Sequence, residues 1–292
     1  MHYTGQVYRH PYESRTPLLE VTMGCSHNKC SFCTMYQNTC FKVSDLKHVE
    51  EDLQELKKMG RAIKRINLIN GEPFVLATSK LIEIGNLIND YFPEIETITC
   101  YASIKNLTNK SLAELKTLRK LGFDELHVGL ESGYNPAVQQ MNKGFSVEEA
   151  YDSLAKLVAA GIKWDAILMM GVAGRGQGEI NVKETAKILN KFPPYMLSIM
   201  STSVSKGTPL ETMRDNGEFL EPTEREMIEE EIRLLELIEF DNAYFFGAHN
   251  YNLIPVNAEL KHKVELIKYF RKQLEEINSK TLDGVMARTA MQ

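Results

Sequence analysis

Strand-like and helix-like stretches alternate along the chain with little irregularity. A largely apolar, partly β-branched run from Leu18 to Met23 predicts the first strand. Helical spacing of Val43, Leu46, Val49, Leu53 and Leu56 predicts a helix over Ser44 to Lys58, closed by Gly60. Arg65 to Ile69 then reads as strand, and Ser79 to Tyr91 as a helix stopped by Pro93. Thr97 to Ala102 is strand. Ser111 to Leu121 is helix, with Ser111 and Glu114 in capping-box spacing and Gly122 as its stop. Glu125 to Leu130 is strand, Ser146 to Ala160 helix, Ala166 to Met170 strand, Glu179 to Asn190 helix and Tyr195 to Ser201 strand. Strands that alternate with helices imply a parallel sheet joined by right-handed crossovers.

The expected fold class is α/β. It is a partial (β/α)6 TIM-like barrel of parallel strands over residues 1–205, followed by a C-terminal helical extension over residues 206–292. The extension opens with a charged amphipathic helix from Pro222 to about Phe240, with Thr223 and Glu226 as capping box. A short apolar run, Ala243 to Phe246, and a last helix, Glu259 to Asn278, complete it, and the tail from Ser279 reads as frayed. It is expected to close the open side of the barrel and shape a substrate site.

Composition narrows the function classes. The chain has 292 residues, 43% hydrophobic and 25% charged, as an ordinary globular protein does. A net charge of -5, a pI of about 5.9 and no lysine- or arginine-rich block make nucleic acid an unlikely partner. Met1 to His10 lacks the pattern of a signal peptide, and the longest apolar run, Ala166 to Ala173, is far from the ~20 residues that span a bilayer. The expected location is cytoplasmic, with no membrane contact. Five cysteines, three of them in one loop, favour metal over a disulfide framework.

Those three, Cys25, Cys30 and Cys33, follow the first strand with Cys-x4-Cys-x2-Cys spacing. Clustered thiolates hold iron–sulfur clusters, and three closely spaced ligands suggest a four-iron cluster with one iron left open. Active sites of parallel α/β folds lie at the C-terminal ends of the strands. Polar and glycine-rich segments gather there: Asn70-Gly-Glu-Pro73, Cys100-Tyr-Ala-Ser103, Gly129-Leu-Glu-Ser-Gly133 and Gly171-Val-Ala-Gly-Arg-Gly176.

Over roughly residues 15 to 205 the chain resembles the radical S-adenosylmethionine (SAM) superfamily. The nearest branch contains the Elongator catalytic subunit, the methylthiotransferases and the oxygen-independent coproporphyrinogen oxidase. The resemblance implies a 4Fe-4S cluster on Cys25, Cys30 and Cys33 whose fourth iron is chelated by SAM. One added electron would then yield methionine and a 5′-deoxyadenosyl radical that abstracts hydrogen from substrate. It also implies that Phe32 packs near the adenine and that Gly71 and Glu72 meet the SAM amino group. Glu131 would hydrogen-bond the ribose, and Ser103 would partner the SAM carboxylate. An electron donor such as flavodoxin or ferredoxin follows from the same resemblance. The four-residue first gap and Asn70, where glycine is commoner, mark a branch of the family. The expected activity is that of an oxidoreductase on a small-molecule or peptidyl substrate, with RNA modification as the alternative.

Simpler readings stand beside this one. A zinc site could recruit His27 as fourth ligand. A closed cluster could recruit Cys40 or Cys100 and merely carry electrons. The glycines from 171 to 178 could cradle an anion, with Arg175 as its partner, or line the cavity. His249 could face the mouth or be structural.

Overall fold

The computed structural model describes residues 1–288. In chain order its elements are β1 (Leu18–Glu20), β2 (Thr22–Met23), β3 (Lys42–Val43), α1 (Leu46–Lys58), β4 (Arg65–Ile69), α2 (Thr78–Tyr91), β5 (Thr97–Ser103), α3 (Ile104–Thr108), α4 (Leu112–Lys120) and β6 (Phe123–Glu131). There follow α5 (Asn135–Gln140), α6 (Val147–Ala159), β7 (Lys163–Met170), α7 (Gly178–Lys191), β8 (Met196–Ser201), α8 (Pro209–Asp215), α9 (Glu224–Leu237), β9 (Tyr244–Phe246), β10 (Asn257–Glu259), α10 (Lys263–Glu276) and α11 (Ser279–Leu282). These residues form two compact units.

The first unit comprises Met1–Asn28, Met35–Gly129 and Glu149–Trp164. Its strands run parallel in the order β1-β4-β5-β6, with Leu18 opposite Asn67, Arg65 opposite Thr97 and Ser103 opposite Gly129. The strand cores are continuously buried (Leu19, Ile66, Leu68, Ile98, Leu126 and Val128), as strands covered on both faces require. The run expected as one strand from Leu18 to Met23 breaks after Glu20. Thr22 and Met23 leave the sheet to pair antiparallel with Lys42 and Val43, so the cysteine loop starts and ends on its own small ribbon. Local chemistry sets the helix starts. Asp45 accepts from Lys47 N at 2.9 Å, and Ser111 and Glu114 form the expected reciprocal box.

The second unit comprises Lys29–Thr34, Leu130–Glu148 and Asp165–Gln292. Here β7, β8 and β9 are parallel and β10 is antiparallel to β9. Strand β9, on the expected apolar run Ala243 to Phe246, and strand β10 stand beside the helices of the extension. Three residues each are too few to show a period, and β10 pairs through backbone alone at an edge. Helix α9 carries the expected Thr223–Glu226 box, and Phe270 of α10 packs edge-on against Phe245 of β9 at 6.2 Å.

The tail expected to fray from Ser279 is anchored through Arg288, and its last four residues, 289–292, lie outside the described ones. Arg288 grips Glu224 with two parallel bonds (2.9 and 2.6 Å) and donates through Nε to Tyr251 O at 2.6 Å. Both charged side chains are 1% exposed. Leu282 of α11 is fully buried as well, so an apolar side chain and an ion pair share the anchoring. Among the described residues no helix is long and apolar enough to cross a membrane.

Removing one partner of a buried ion pair strands the other charge, at a cost of about 3–5 kcal/mol. Arg288→Met is therefore expected to lower unfolding stability by that amount in a urea titration. A change below about 1 kcal/mol would show the pair to be solvated.

Candidate metal and cofactor site

The structure divides the sequence-predicted residues between the units. Cys25, Gly71, Glu72 and Ser103 lie in the first, and Cys30, Phe32, Cys33 and Glu131 in the second. None of the five cysteines is in a disulfide.

In the first unit the end of β4 turns through two left-handed residues, Asn70 (φ 72) and Gly71 (φ 55). At Gly71 a side chain is impossible without rearrangement, since an added Cβ would lie 1.9 Å from Gly24 O. Its N–H donates to Tyr36 OH at 2.7 Å, and Asn28 Nδ2 donates to Tyr36 O at 2.7 Å. Tyr36, which the sequence reading missed, thus ties the cysteine loop to the strand end. Asn70 is the non-glycine residue type best suited to its backbone. Its side chain donates to Glu20 Oε2 at 2.7 Å, and its carbonyl accepts from Thr22 Oγ1 at 2.9 Å.

Glu72 is 6% exposed. Its Oε1 accepts from Ser26 Oγ (2.5 Å) and His27 N (3.1 Å), and its Oε2 from Asn106 Nδ2 (3.0 Å). Cys25 Sγ lies 3.5 Å from Oε1. Burial opposes ionisation, but bonds from Ser26, Asn106, Ser103 and the His27 N–H outweigh it and hold the carboxyl below its ordinary range. These donors are neutral, so the charge is solvated by the protein without being neutralised. Ser103 caps α3, accepting from Asn106 N at 3.3 Å while Asn106 Oδ1 accepts from Ser103 N at 2.8 Å. Ser103 also helps hold that carboxylate ionised. Asn106 was invisible in the sequence because α3 is one short turn.

In the second unit the segment carrying Cys30 and Cys33 is pinned by backbone. Ser31 N donates to Met141 O (2.9 Å), Ser31 Oγ to Gln140 O (2.8 Å), and Leu210 N to Ser31 O (2.9 Å). Phe32 packs against a core that includes Met141, Met169 and Leu210. A small cavity opens beside Cys33, walled by Phe32, Met169, Met200, Ser203 and Tyr251.

Glu131 is 7% exposed with φ 61, uncommon for a glutamate. Its Oε1 accepts from Lys143 Nζ at 2.9 Å, while its Oε2 is buried with no hydrogen-bond partner among the described residues. An orphaned buried carboxylate oxygen calls for a donor. Lys143 was also missed, because a lone lysine in a loop is ordinarily solvated. Its ammonium sits 5.8 Å over the Phe32 ring. Burial works against its charge, but Glu131, Cys30 and Cys33 outweigh burial and hold it well above the usual lysine range.

Several candidates have other duties. Cys100 is buried in β5, and burial pushes its thiol up, away from thiolate ligation, while Cys40 is exposed. Arg175 donates to Glu221 O at 2.9 Å, Gly176 N to Glu226 Oε1 at 2.9 Å and Gly171 N to Glu230 Oε2 at 2.8 Å. The glycine loop therefore spends these donors on α9 and its approach instead of cradling an anion. His249 Nδ1 accepts from Tyr251 N at 3.2 Å, as a structural histidine does, and burial lowers its pKa.

With this geometry in place, comparison with known proteins is decisive for the family. The model of the Radical SAM superfamily matches residues 19–189. The chain belongs to the radical SAM superfamily. It is accordingly an enzyme, and its cofactors are a 4Fe-4S cluster and SAM. A tRNA uridine(34) acetyltransferase of Methanocaldococcus infernus is 32% identical over 137 residues, 46% of this chain and 24% of the relative. Methylornithine synthase aligns over 79% of this chain and 63% of its own (TM-score 0.57, 17% identity). Methanocaldococcus infernus Elp3 with an N-terminal deletion aligns over 88% and 63% (TM-score 0.55, 20% identity). These two likenesses show the fold, the expected α/β partial TIM-like barrel. The chain spans about a quarter of the acetyltransferase and under two thirds of each solved chain. With a relative named for tRNA, the expectation that nucleic acid is an unlikely partner is not supported.

Gly71→Ala should destabilise the fold by at least about 1–3 kcal/mol, the cost of a strained left-handed residue, before any clash is counted. Chemical denaturation measures this, and an unchanged midpoint would mean that the two loops do not approach as described.

Proposed function

We propose that this radical SAM enzyme uses Cys25, Cys30 and Cys33 as its three cluster ligands and cleaves SAM reductively to abstract hydrogen from substrate. The carrying observation is the charge and hydrogen-bond inventory. Glu72 offers an un-neutralised carboxylate beside Cys25, suited to the SAM amino group. The free Oε2 of Glu131 suits a ribose hydroxyl, since a carboxylate is acceptor-only and can take both donors of a diol. Lys143, the cation held by Glu131 near Cys30 and Cys33, suits the SAM carboxylate as a charged partner in addition to the Ser103 hydroxyl. Phe32 offers its ring to the adenine, and Gly71 lets the strand end approach without a side chain. When bound, the cluster and SAM supply the one-electron cleavage that generates the hydrogen-abstracting radical. The chain's own part is to bind, orient and keep that reaction dry.

Residues 206–292 are proposed to shape the substrate mouth. In support, Leu210 bonds the cysteine segment at Ser31 and Tyr251 walls the cavity beside Cys33. The substrate reading remains a small molecule or peptidyl group. RNA is the second reading, favoured by the acetyltransferase's name and by the likeness to Elp3.

Anaerobically reconstituted protein with SAM and a strong reductant is expected to release 5′-deoxyadenosine, measured by chromatography. A fully loaded cluster that releases none would reject the proposal. Loss of a charge-assisted bond is worth about 1.5–3 kcal/mol, so Lys143→Met should weaken SAM binding roughly 10- to 100-fold at unchanged iron content. Equal affinity would remove Lys143 from the site. Gel shifts with bulk transfer RNA separate the substrate readings: tight, salt-sensitive retention favours RNA, and none favours the small substrate.

A further inference from the structure

Behind Glu131 a buried polar chain runs through the second unit, and none of the proposed cofactor contacts uses it. Ser132 is fully buried and donates through Oγ to Asn181 Oδ1 at 2.5 Å. Asn181, on α7, donates through Nδ2 to Glu230 Oε1 at 2.6 Å. Glu230, on α9, accepts the Gly171 N–H on its other oxygen at 2.8 Å. Packing brings the same three elements close. A Cβ on Gly133 would lie 2.6 Å from Thr185 Cα of α7, and one on Gly171 (φ 80) would lie 2.8 Å from Met227 Cγ of α9.

Glu230 is 4% exposed, and both its hydrogen-bond donors are neutral. The charged neighbours that act on it are acidic, Glu226 one turn before and Glu231 beside it. Burial pushes Glu230 up to about 7 and Glu231 up to about 8. Apolar packing would fill this space at lower cost. What a carboxylate adds is acceptance on both oxygens at once, here from donors in two different elements.

We infer that Glu230 is a positioning residue for the adenosine half of SAM, clamping the loop after β7 to the Ser132 end of β6 and so fixing the left-handed backbone of Glu131. The inference rests on the reading of Glu131 as the ribose acceptor. Glu230→Gln preserves shape but sets an amide N–H against one of the two donors, which releases one loop. Partners behind a binding group typically matter by 10-fold or more.

The test uses the full-length, reconstituted protein at pH 8 and measures binding of 5′-deoxyadenosine and of methionine separately by equilibrium dialysis. Glu230→Gln is expected to weaken 5′-deoxyadenosine binding roughly 10-fold or more, with methionine affinity and iron content unchanged. An unchanged nucleoside affinity, or equal loss of both ligands, would overturn the inference, because a merely structural residue would not discriminate. If Glu230→Gln is insoluble, Ser132→Ala breaks the chain at its other end and must show the same asymmetry. Glu131→Ala separates the two levels. If it leaves nucleoside binding intact, the ribose reading falls; if it abolishes binding while Glu230→Gln does not, only the clamp falls.

Discussion

A charge withdrawn from water has to be met by another charge or by well-aimed dipoles, and the proposed site is organised around that requirement. SAM carries an ammonium, a carboxylate and a sulfonium. The protein has prepared a buried carboxylate, Glu72, that is held ionised by neutral donors alone. It has prepared a buried ammonium, Lys143, that is held charged by Glu131 together with Cys30 and Cys33. Each is costly to maintain. Burying each in advance moves that cost into folding.

The same logic explains where the backbone is strained. The left-handed residues Asn70, Gly71 and Glu131 all sit at or just after the C-terminal ends of strands, where parallel α/β folds place their chemistry. Each is fixed by its surroundings: Asn70 by Glu20 and Thr22, Gly71 by Tyr36 and the Gly24 carbonyl, Glu131 by Lys143. Strain of this kind persists only where neighbouring contacts over-determine it. The glycine loop after β7 obeys the same rule from the opposite direction, since its N–H groups are tied to the acidic residues of α9.

Much of this was legible in the sequence. Long periodic helices announced themselves, and the boxes at Ser111 and Thr223 formed as read. The cysteine spacing and the strand-end motifs were sufficient to identify the family. What escaped had short range or no period. Helix α3 is five residues long and carries Asn106, and strands β9 and β10 have three residues each. Lys143 and Arg288 are single charges whose burial depends entirely on partners distant in sequence. Ser103 was read for its position, and the structure adds its second duty as the cap of α3.

In the proposed site three thiolates would leave one iron open for SAM to chelate through its amino group and carboxylate. Electron–nuclear double resonance on the reduced cluster, with SAM labelled by 15N at the amino nitrogen, tests this most directly. The expected result is a nitrogen coupling of the size of a direct iron–nitrogen bond. A spectrum indifferent to the label, from protein that holds a complete cluster, would contradict it.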